Sequence, residues 1–228
     1  MTGDEMGVHD QLLRDEVVER HLARKRDAFI EEYGLSGMPA FIWQSLPLDA
    51  VVVDVSKVDI QHALRQGKGS ESDDAWWYGF RSGNLPSPVF DGIALSIRVD
   101  AQWATQLHVD GHLIASIWSF PSVLRQDRAE QMVLPTYFAE AFRDFGGLAQ
   151  GCYKAADYAG KYTLTCTLEQ ADRLALGGAR DNIIAPPTKR KTLRWPLLQV
   201  SNSEEANAAA YQMGVQLMRA YGKSMKPW

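Results

Sequence analysis

Apolar and polar residues alternate along residues 103–118, and the alternation is interrupted at one Asp-Gly pair. Leu107 lies before this pair and Leu113 lies after it. Asp-Gly between two alternating segments is a strong short-range signal for a β-hairpin, and a type I′ turn needs positive φ at both central residues. We therefore predict a hairpin at 103–118 that turns on Asp110 and Gly111 and forms the middle of a sheet.

Four other stretches repeat apolar residues at the spacing of one helical face. The predicted helices lie at about 10–33, 56–65, 130–157 and 203–221. The opposite face of the first helix carries many charges of both signs, which is typical of a solvated helix. Gly34 is expected at its C′ position. Gly146 and Gly147 are expected to break or kink the third helix, for which Pro135 is an alternative first residue.

Strands are predicted where β-branched and aromatic residues concentrate. They lie at 39–46, 50–55, 93–99, 161–168 and 192–200. Pro196 places the last of them at a sheet edge or a bulge, because proline cannot donate a ladder hydrogen bond. Hairpins and irregular loops join the strands, so we expect an α+β fold with a mainly antiparallel or mixed sheet around the 103–118 hairpin.

Composition is that of a globular protein, with 228 residues of which 46% are hydrophobic and 23% are charged. We expect residues 1–36 to form an N-terminal amphipathic helix that acts as an arm or connector, and residues 37–228 to form a single α+β domain. The net charge of −4 is not that of a general nucleic-acid or anionic-membrane binder, although a local basic patch can still act. The absence of an apolar leader and of a membrane-length apolar run predicts a soluble cytoplasmic protein.

Motifs for nucleotide or metal chemistry are absent from the sequence. It contains no phosphate-binding glycine motif and no nucleophile elbow, and Cys152 and Cys166 are not in zinc-binding spacing. We therefore predict no catalytic residue, no metal site and no cofactor. His108, Asp110 and His112 are of types that can ligate a transition metal, but a tight turn separates the histidines and uses Asp110, which favours an exposed hairpin tip.

Two further catalytic arrangements have little support. A Cys–His pair of His108 with Cys152 or Cys166 requires a reactive thiol, whereas Cys166 shares one face of a predicted strand with Leu164 and Leu168 and is expected to be a small core residue. A carboxylate site for hydrolysis has no supporting spacing among its candidates, which are Asp54, Asp59, Asp91 and Glu169.

Two clusters are candidates for binding. Trp76, Trp77 and Tyr78 lie in a polar, glycine-rich stretch, so they and nearby Arg81 are candidates for contact with a partner or a small ligand.

The second cluster is basic and follows two prolines. Lys189, Arg190, Lys191 and Arg194 form a run that can contact nucleic-acid phosphates. Cations also protect an edge strand against aggregation, and that interpretation is favoured from the sequence alone.

One family resemblance rests on short motifs between residues 41 and 222. They are the loop that ends in Phe90-Asp91-Gly92-Ile93, the turn Asp110-Gly111, a helix with Tyr137, Phe138 and Phe142, the strand 162–168 and the helix end Ala220-Tyr221-Gly222. This arrangement resembles the C-terminal accessory region of bacterial Schlafen/AlbA-type ATP-binding or transcription-regulator proteins. In that family the nucleotide- and nucleic-acid-related domain is N-terminal to this region, so the resemblance implies an accessory role and transfers no catalytic residue.

Three functions are compatible with these patterns. The first is a non-catalytic interaction or regulatory module that docks to a protein partner or self-associates. The second is a nucleic-acid-associated accessory protein that uses the basic run at 189–194. The third is a hydrolase or a small-ligand-binding domain, with no membrane partner in any case.

Overall fold

The computed structural model describes residues 5–68, 79–96, 102–125, 128–178 and 182–224. The chain separates into two compact units, Met1–Ser36 and Gly37–Trp228. The first unit contains helix α1 (Glu5–Glu32). Its end is a Schellman motif, in which Leu35 N donates to Ile30 O (2.9 Å) and Gly34 N donates to Glu31 O (3.2 Å). Gly34 has φ of +63°, which confirms it as the C′ residue.

The second unit combines helices with two sheets. The helices are α2 (Val58–Leu64), α3 (Pro135–Ala155) and α4 (Ser203–Ala220), with a 3₁₀ turn at Ala171–Arg173. The strands are β1 (Ala40–Ser45), β2 (Ser87–Val89), β3 (Gly92–Ser96), β4 (Trp103–His108), β5 (Leu113–Ile117), β6 (Ser122–Arg125), β7 (Arg128–Val133), β8 (Tyr162–Glu169), β9 (Ala175–Gly177), β10 (Ile183–Ala185), β11 (Leu193–Arg194) and β12 (Leu198–Val200). Among the described helices, none combines the length and the hydrophobicity that crossing a bilayer requires.

The larger sheet has the order β11-β8-β1-β5-β4-β3-β2, and β12 also pairs with β8. All of its pairs are antiparallel. The smaller sheet, β10-β9-β7-β6, is mixed because β7 and β9 run parallel. The α+β class with a mainly antiparallel sheet is confirmed.

The central hairpin is also confirmed, but its turn differs from the prediction. His108 N donates to His112 O and Gly111 N donates to His108 O, both at 3.0 Å, so the loop has three residues. Gly111 has φ of +79°, whereas Asp110 is not in the left-handed region. This is a turn followed by a left-handed glycine, not a type I′ turn. Asp110 Oδ1 accepts from His112 N (3.0 Å), which holds the carboxylate in the turn.

Two predicted elements are wrong, and the strand predicted at 192–200 is divided into β11 and β12 on either side of Pro196. Residues 50–55 form no strand, although Val53 N donates to Val109 O at 2.8 Å. Residues 130–133 belong to strand β7, and the third helix begins at Pro135, the alternative first residue. Proline lacks the N–H that a strand ladder needs, and its fixed φ suits the first turn of a helix.

Helix α3 continues through Gly146 and Gly147, which the sequence predicted to break or kink it. A Cβ on Gly146 would lie 3.0 Å from the Ala206 Cβ of α4, whereas a Cβ on Gly147 would meet nothing within 4 Å. Gly146 therefore allows the two helices to approach closely, and their packing supports the uninterrupted helix.

Buried aromatic rings connect the sheet to the helices. The Phe138 ring of α3 lies 4.8 Å from the Phe41 ring of β1 and 5.0 Å from the Trp195 ring. Trp195 Nε1 donates to Met213 O of α4 at 3.0 Å. Trp195 therefore joins the segment after β11 to both helices.

We expect Gly146→Leu to lower the free energy of unfolding by about 1–3 kcal/mol, because the new side chain overpacks the contact between α3 and α4. Urea denaturation followed by tryptophan fluorescence measures this change. Gly147→Leu is the matched control, since Gly147 is exposed, and it should be neutral or stabilise by up to about 1 kcal/mol through helix propensity. Equal destabilisation by the two variants would contradict the packing account.

Candidate anion-binding site

The basic run lies at one edge of the larger sheet. Arg194 belongs to β11, the last strand in the order, and β11 pairs with β8 alone among the described strands. Lys189, Arg190, Lys191 and Arg194 are all exposed. Their position is that of cations protecting an edge strand, so this feature alone does not separate the two interpretations of the run.

A cavity of about 370 Å³ lies beside this edge. Its lining residues are Arg190, Leu193, Arg194, Trp195, Gln216, Arg219 and Ala220. Two of the four predicted basic residues thus line the same cavity as Arg219, which belongs to the last turn of α4. Lys189 and Lys191 are not among the lining residues. We call this cavity the arginine pocket.

The arginine pocket has an apolar floor and a polar rim. Leu193 and Trp195 are each 6% exposed and form the floor. Arg190, Arg194 and Arg219 are exposed and form the rim together with the Gln216 side chain. A small number of polar groups above an apolar floor is typical of a ligand site.

The floor is held by contacts on three sides. Trp195 donates its indole N–H to Met213 O, and its ring stacks on Phe138. Its backbone N donates to Cys166 O (3.0 Å), and its carbonyl accepts from Thr165 Oγ1 (3.0 Å). The indole is therefore fixed between β8, α3 and α4.

The end of α4 is fixed as well. Gly222 N donates to Arg219 O (2.9 Å) and Lys223 N donates to Met218 O (3.0 Å) in a Schellman motif, with φ of +69° at Gly222. The backbone that carries Arg219 thus has a defined end. A cation there also interacts favourably with the carbonyl end of the helix dipole.

The three guanidinium groups have no carboxylate within 4 Å in the part of the chain that the structure describes. Each guanidinium can donate two parallel hydrogen bonds to a carboxylate or phosphate. Three of them around one cavity suit an anion with several oxygens.

The sequence did not indicate Arg219 as part of this site. It lies 25 residues beyond Arg194, and a basic residue in the last turn of a helix is common for reasons of the dipole alone. Its role becomes visible once α4 is placed against Trp195.

The aromatic candidates Trp76, Trp77 and Tyr78 lie outside the described residues. Arg81 is exposed and forms an isolated antiparallel bridge with Gln66. The arginine pocket does not include Arg81.

Both flanks of the 69–78 segment are attached to one buried carboxylate that the sequence did not single out. Asp144 of α3 accepts from Lys68 N (2.5 Å) through Oδ1 and from Phe80 N (2.8 Å) through Oδ2. A Cβ on Gly67 would lie 2.5 Å from the Phe80 carbonyl carbon. The two flanks therefore meet at a narrow neck against α3.

The histidines of the central hairpin are buried, which corrects the expectation of an exposed tip. Their rings stack at 5.4 Å. His108 Nδ1 lies 2.5 Å from Asp91 Oδ1, and His112 Nε2 lies 3.1 Å from Gln44 Nε2.

The His108–Asp91 pair joins the end of β4 to the turn between β2 and β3, where Asp91 has φ of +56°. A carboxylate on Nδ1 orients an imidazole, as in catalytic triads. Asp91 is also the only side-chain hydrogen-bond partner of His108 among the described residues, and in that part of the chain the pair is a cross-link between β4 and the β2–β3 turn. Within the described ranges, no three His, Cys, Asp or Glu side chains are grouped to hold a metal ion.

Both thiols are buried. Burial raises the pKa of the Cys152 thiol to about 12 and the pKa of the Cys166 thiol well above its ordinary value. The prediction that Cys166 is a core residue is confirmed. Burial thus disfavours the thiolate form, which is the nucleophilic form of cysteine, at both positions.

We expect Cys152 and Cys166 to resist an aromatic disulfide reagent in the folded protein and to react in denaturant. A pKa of about 12 instead of 9.0 leaves about a thousandfold less Cys152 thiolate at pH 8. Absorbance of the released thiol measures the reaction. Because folding favours the neutral thiol, the associated stability is present below pH 9 and is lost as pH rises towards 12. Rapid labelling of the folded protein would contradict this account.

Comparisons of this chain with protein-family models, curated proteins and solved structures give no significant match. The resemblance to Schlafen/AlbA-type proteins therefore stays a prediction, and the function is argued from the geometry of the arginine pocket.

Proposed function

We propose that this protein is a non-catalytic binding module that engages single-stranded nucleic acid through the basic run and the arginine pocket. The observation that carries the proposal is the convergence of Arg219 with Arg190 and Arg194 around one cavity. Protection of an edge strand requires cations along that strand, but it does not require a third arginine from a helix.

Charge supports the same ligand class. The chain as a whole carries −4, so the concentration of cations at this edge is local. A local positive field attracts phosphates and raises association rates even on an acidic protein. Lys189 and Lys191 lie on the same segment outside the pocket lining, where they can contact further phosphates along a strand.

The size and place of the site favour a single strand over a duplex. The cavity of about 370 Å³ has the size of a small-ligand pocket. Duplex readers usually insert a helix or a two-stranded ribbon into a groove, whereas the cations here line a recess between β11 and α4.

We expect the double variant Arg190→Gln/Arg194→Gln to bind a labelled single-stranded oligonucleotide about tenfold more weakly, because two phosphate contacts are lost. Fluorescence anisotropy with single- and double-stranded DNA and RNA at about 50 and about 200 mM salt measures the affinity. Each contact to a single strand contributes about −0.7 to the slope of log K against log salt, so the slope should become shallower by about 1.4.

Arg143→Gln/Lys154→Gln is the charge-matched control, because both residues are exposed on α3 and neither lines the pocket. It should retain the affinity and the salt slope. No binding to any oligonucleotide by the unaltered protein, or equal weakening in both double variants, would overturn the proposal.

Self-association is a second candidate, favoured by exposed apolar side chains near the central hairpin. Phe90 is 94% exposed and Val52 is 87% exposed. Their segments both hydrogen-bond to Val109, since Val53 N donates to Val109 O and Val109 N donates to Asp91 O. An apolar patch shared by two copies can form an isologous contact.

For this candidate we expect the mass measured by light scattering to rise with protein concentration, and Phe90→Ser to abolish the rise. Loss of a large exposed apolar side chain removes contact area at the interface. Leu85→Ser, which removes another strongly exposed apolar side chain, is the control and should leave the rise unchanged. A monomer at all concentrations would exclude self-association.

A further inference from the structure

We propose that the arginine pocket receives the terminal phosphate monoester of a nucleic-acid strand, so that the protein recognises strand ends. This inference rests on the proposed function and assigns the chemical group that enters the cavity. A strand interior and a strand end present different phosphates, and the pocket distinguishes them by charge and by shape.

Charge is the first argument. A phosphodiester within a strand carries one negative charge, whereas a phosphate monoester carries between −1.5 and −2 near neutral pH and offers three terminal oxygens. Arg190, Arg194 and Arg219 bring three positive charges to one cavity. These are more donors and more charge than a single diester can use, and they match a monoester.

Shape is the second argument. The rim residues come from two separate elements, since Arg190 and Arg194 lie in or beside β11 and Arg219 lies in α4. A group held between these elements, above the floor of Leu193 and Trp195, must project into the recess. A diester continues into a chain on both sides, whereas a terminal monoester continues on one side only and can project.

Preorganisation is the third argument. The contacts of Trp195 with Met213 and Phe138 hold β11 and α4 at a fixed spacing. The Schellman end at Gly222 fixes the turn that carries Arg219. The backbones of Arg194 and Arg219 are therefore in place before a ligand arrives, which lowers the entropic cost of binding.

The two lysines of the basic run can contact the part of the strand that extends away from the pocket. Lys189 and Lys191 flank Arg190 but do not line the cavity. With the terminal phosphate beside the three arginines, the following diesters can run past these two lysines. A free mononucleotide can contact the three arginines but has no further phosphates for the two lysines. A strand should therefore bind more tightly than a mononucleotide.

The test compares one single-stranded sequence that carries a phosphate monoester at its 5′ end, at its 3′ end or at neither end. Fluorescence anisotropy competition measures the affinities. We expect a strand with a monoester on at least one end to bind about tenfold more tightly than the strand with two hydroxyl ends. One additional charge-assisted bidentate contact is sufficient for a gain in affinity of this size. Arg219→Gln should reduce this ratio to below about twofold, and Arg219→Lys, which keeps the charge but not the fork, should give an intermediate ratio.

Arg143→Gln is the control, and it should retain the full ratio. Thermal unfolding of each variant confirms that it is folded. Equal affinity for monoester and hydroxyl ends would overturn the inference while leaving the proposed function in place. Failure of every strand to bind would overturn both.

Two other outcomes also overturn the inference. A phosphorylated peptide that competes more strongly than the strands would assign the pocket to a protein ligand. A mononucleotide that competes as strongly as the phosphorylated strand would show that the lysines contribute nothing.

Discussion

The arrangement of this protein depends on the burial of one phenylalanine between the sheet and a tryptophan. Phe138 of α3 contacts Phe41 of the interior strand β1 on one side and Trp195 on the other. Aromatic pairs at such distances add specific geometry to the burial of a large apolar area. The indole hydrogen bond to Met213 extends this contact to α4, so the same cluster that packs the core also sets the width of the recess at the sheet edge.

The sequence predicted the fold class and the central hairpin because both depend on local information. Alternation along 103–118 and 161–168 indicates strands without knowledge of their neighbours. The predicted turn type was wrong. The Asp110 carboxylate accepts from His112 N in a three-residue loop, and an Asp-Gly pair is compatible with this loop as well as with a type I′ turn. The start of the third helix was ambiguous, since Met132 and Val133 fit a strand as well as a helical face.

The binding site was only partly predictable. Arg190 and Arg194 belong to a conspicuous basic run, but Arg219 is an isolated cation that joins them only through tertiary packing. Asp144 is similar, because an acidic residue inside an amphipathic helix gives no sign that it is buried and bonded to two backbone N–H groups. Residues whose roles depend on long-range contacts have no signal at short range.

The Asp144 neck joins two separate stretches of the chain to helix α3 through a single side chain. Closing a loop of chain costs conformational entropy that grows only slowly with the number of residues enclosed. The Asp144 carboxylate offsets part of this cost, because it accepts from Lys68 N and from Phe80 N at the same time. Loss of this one carboxylate would therefore leave two backbone N–H groups without their acceptor at once.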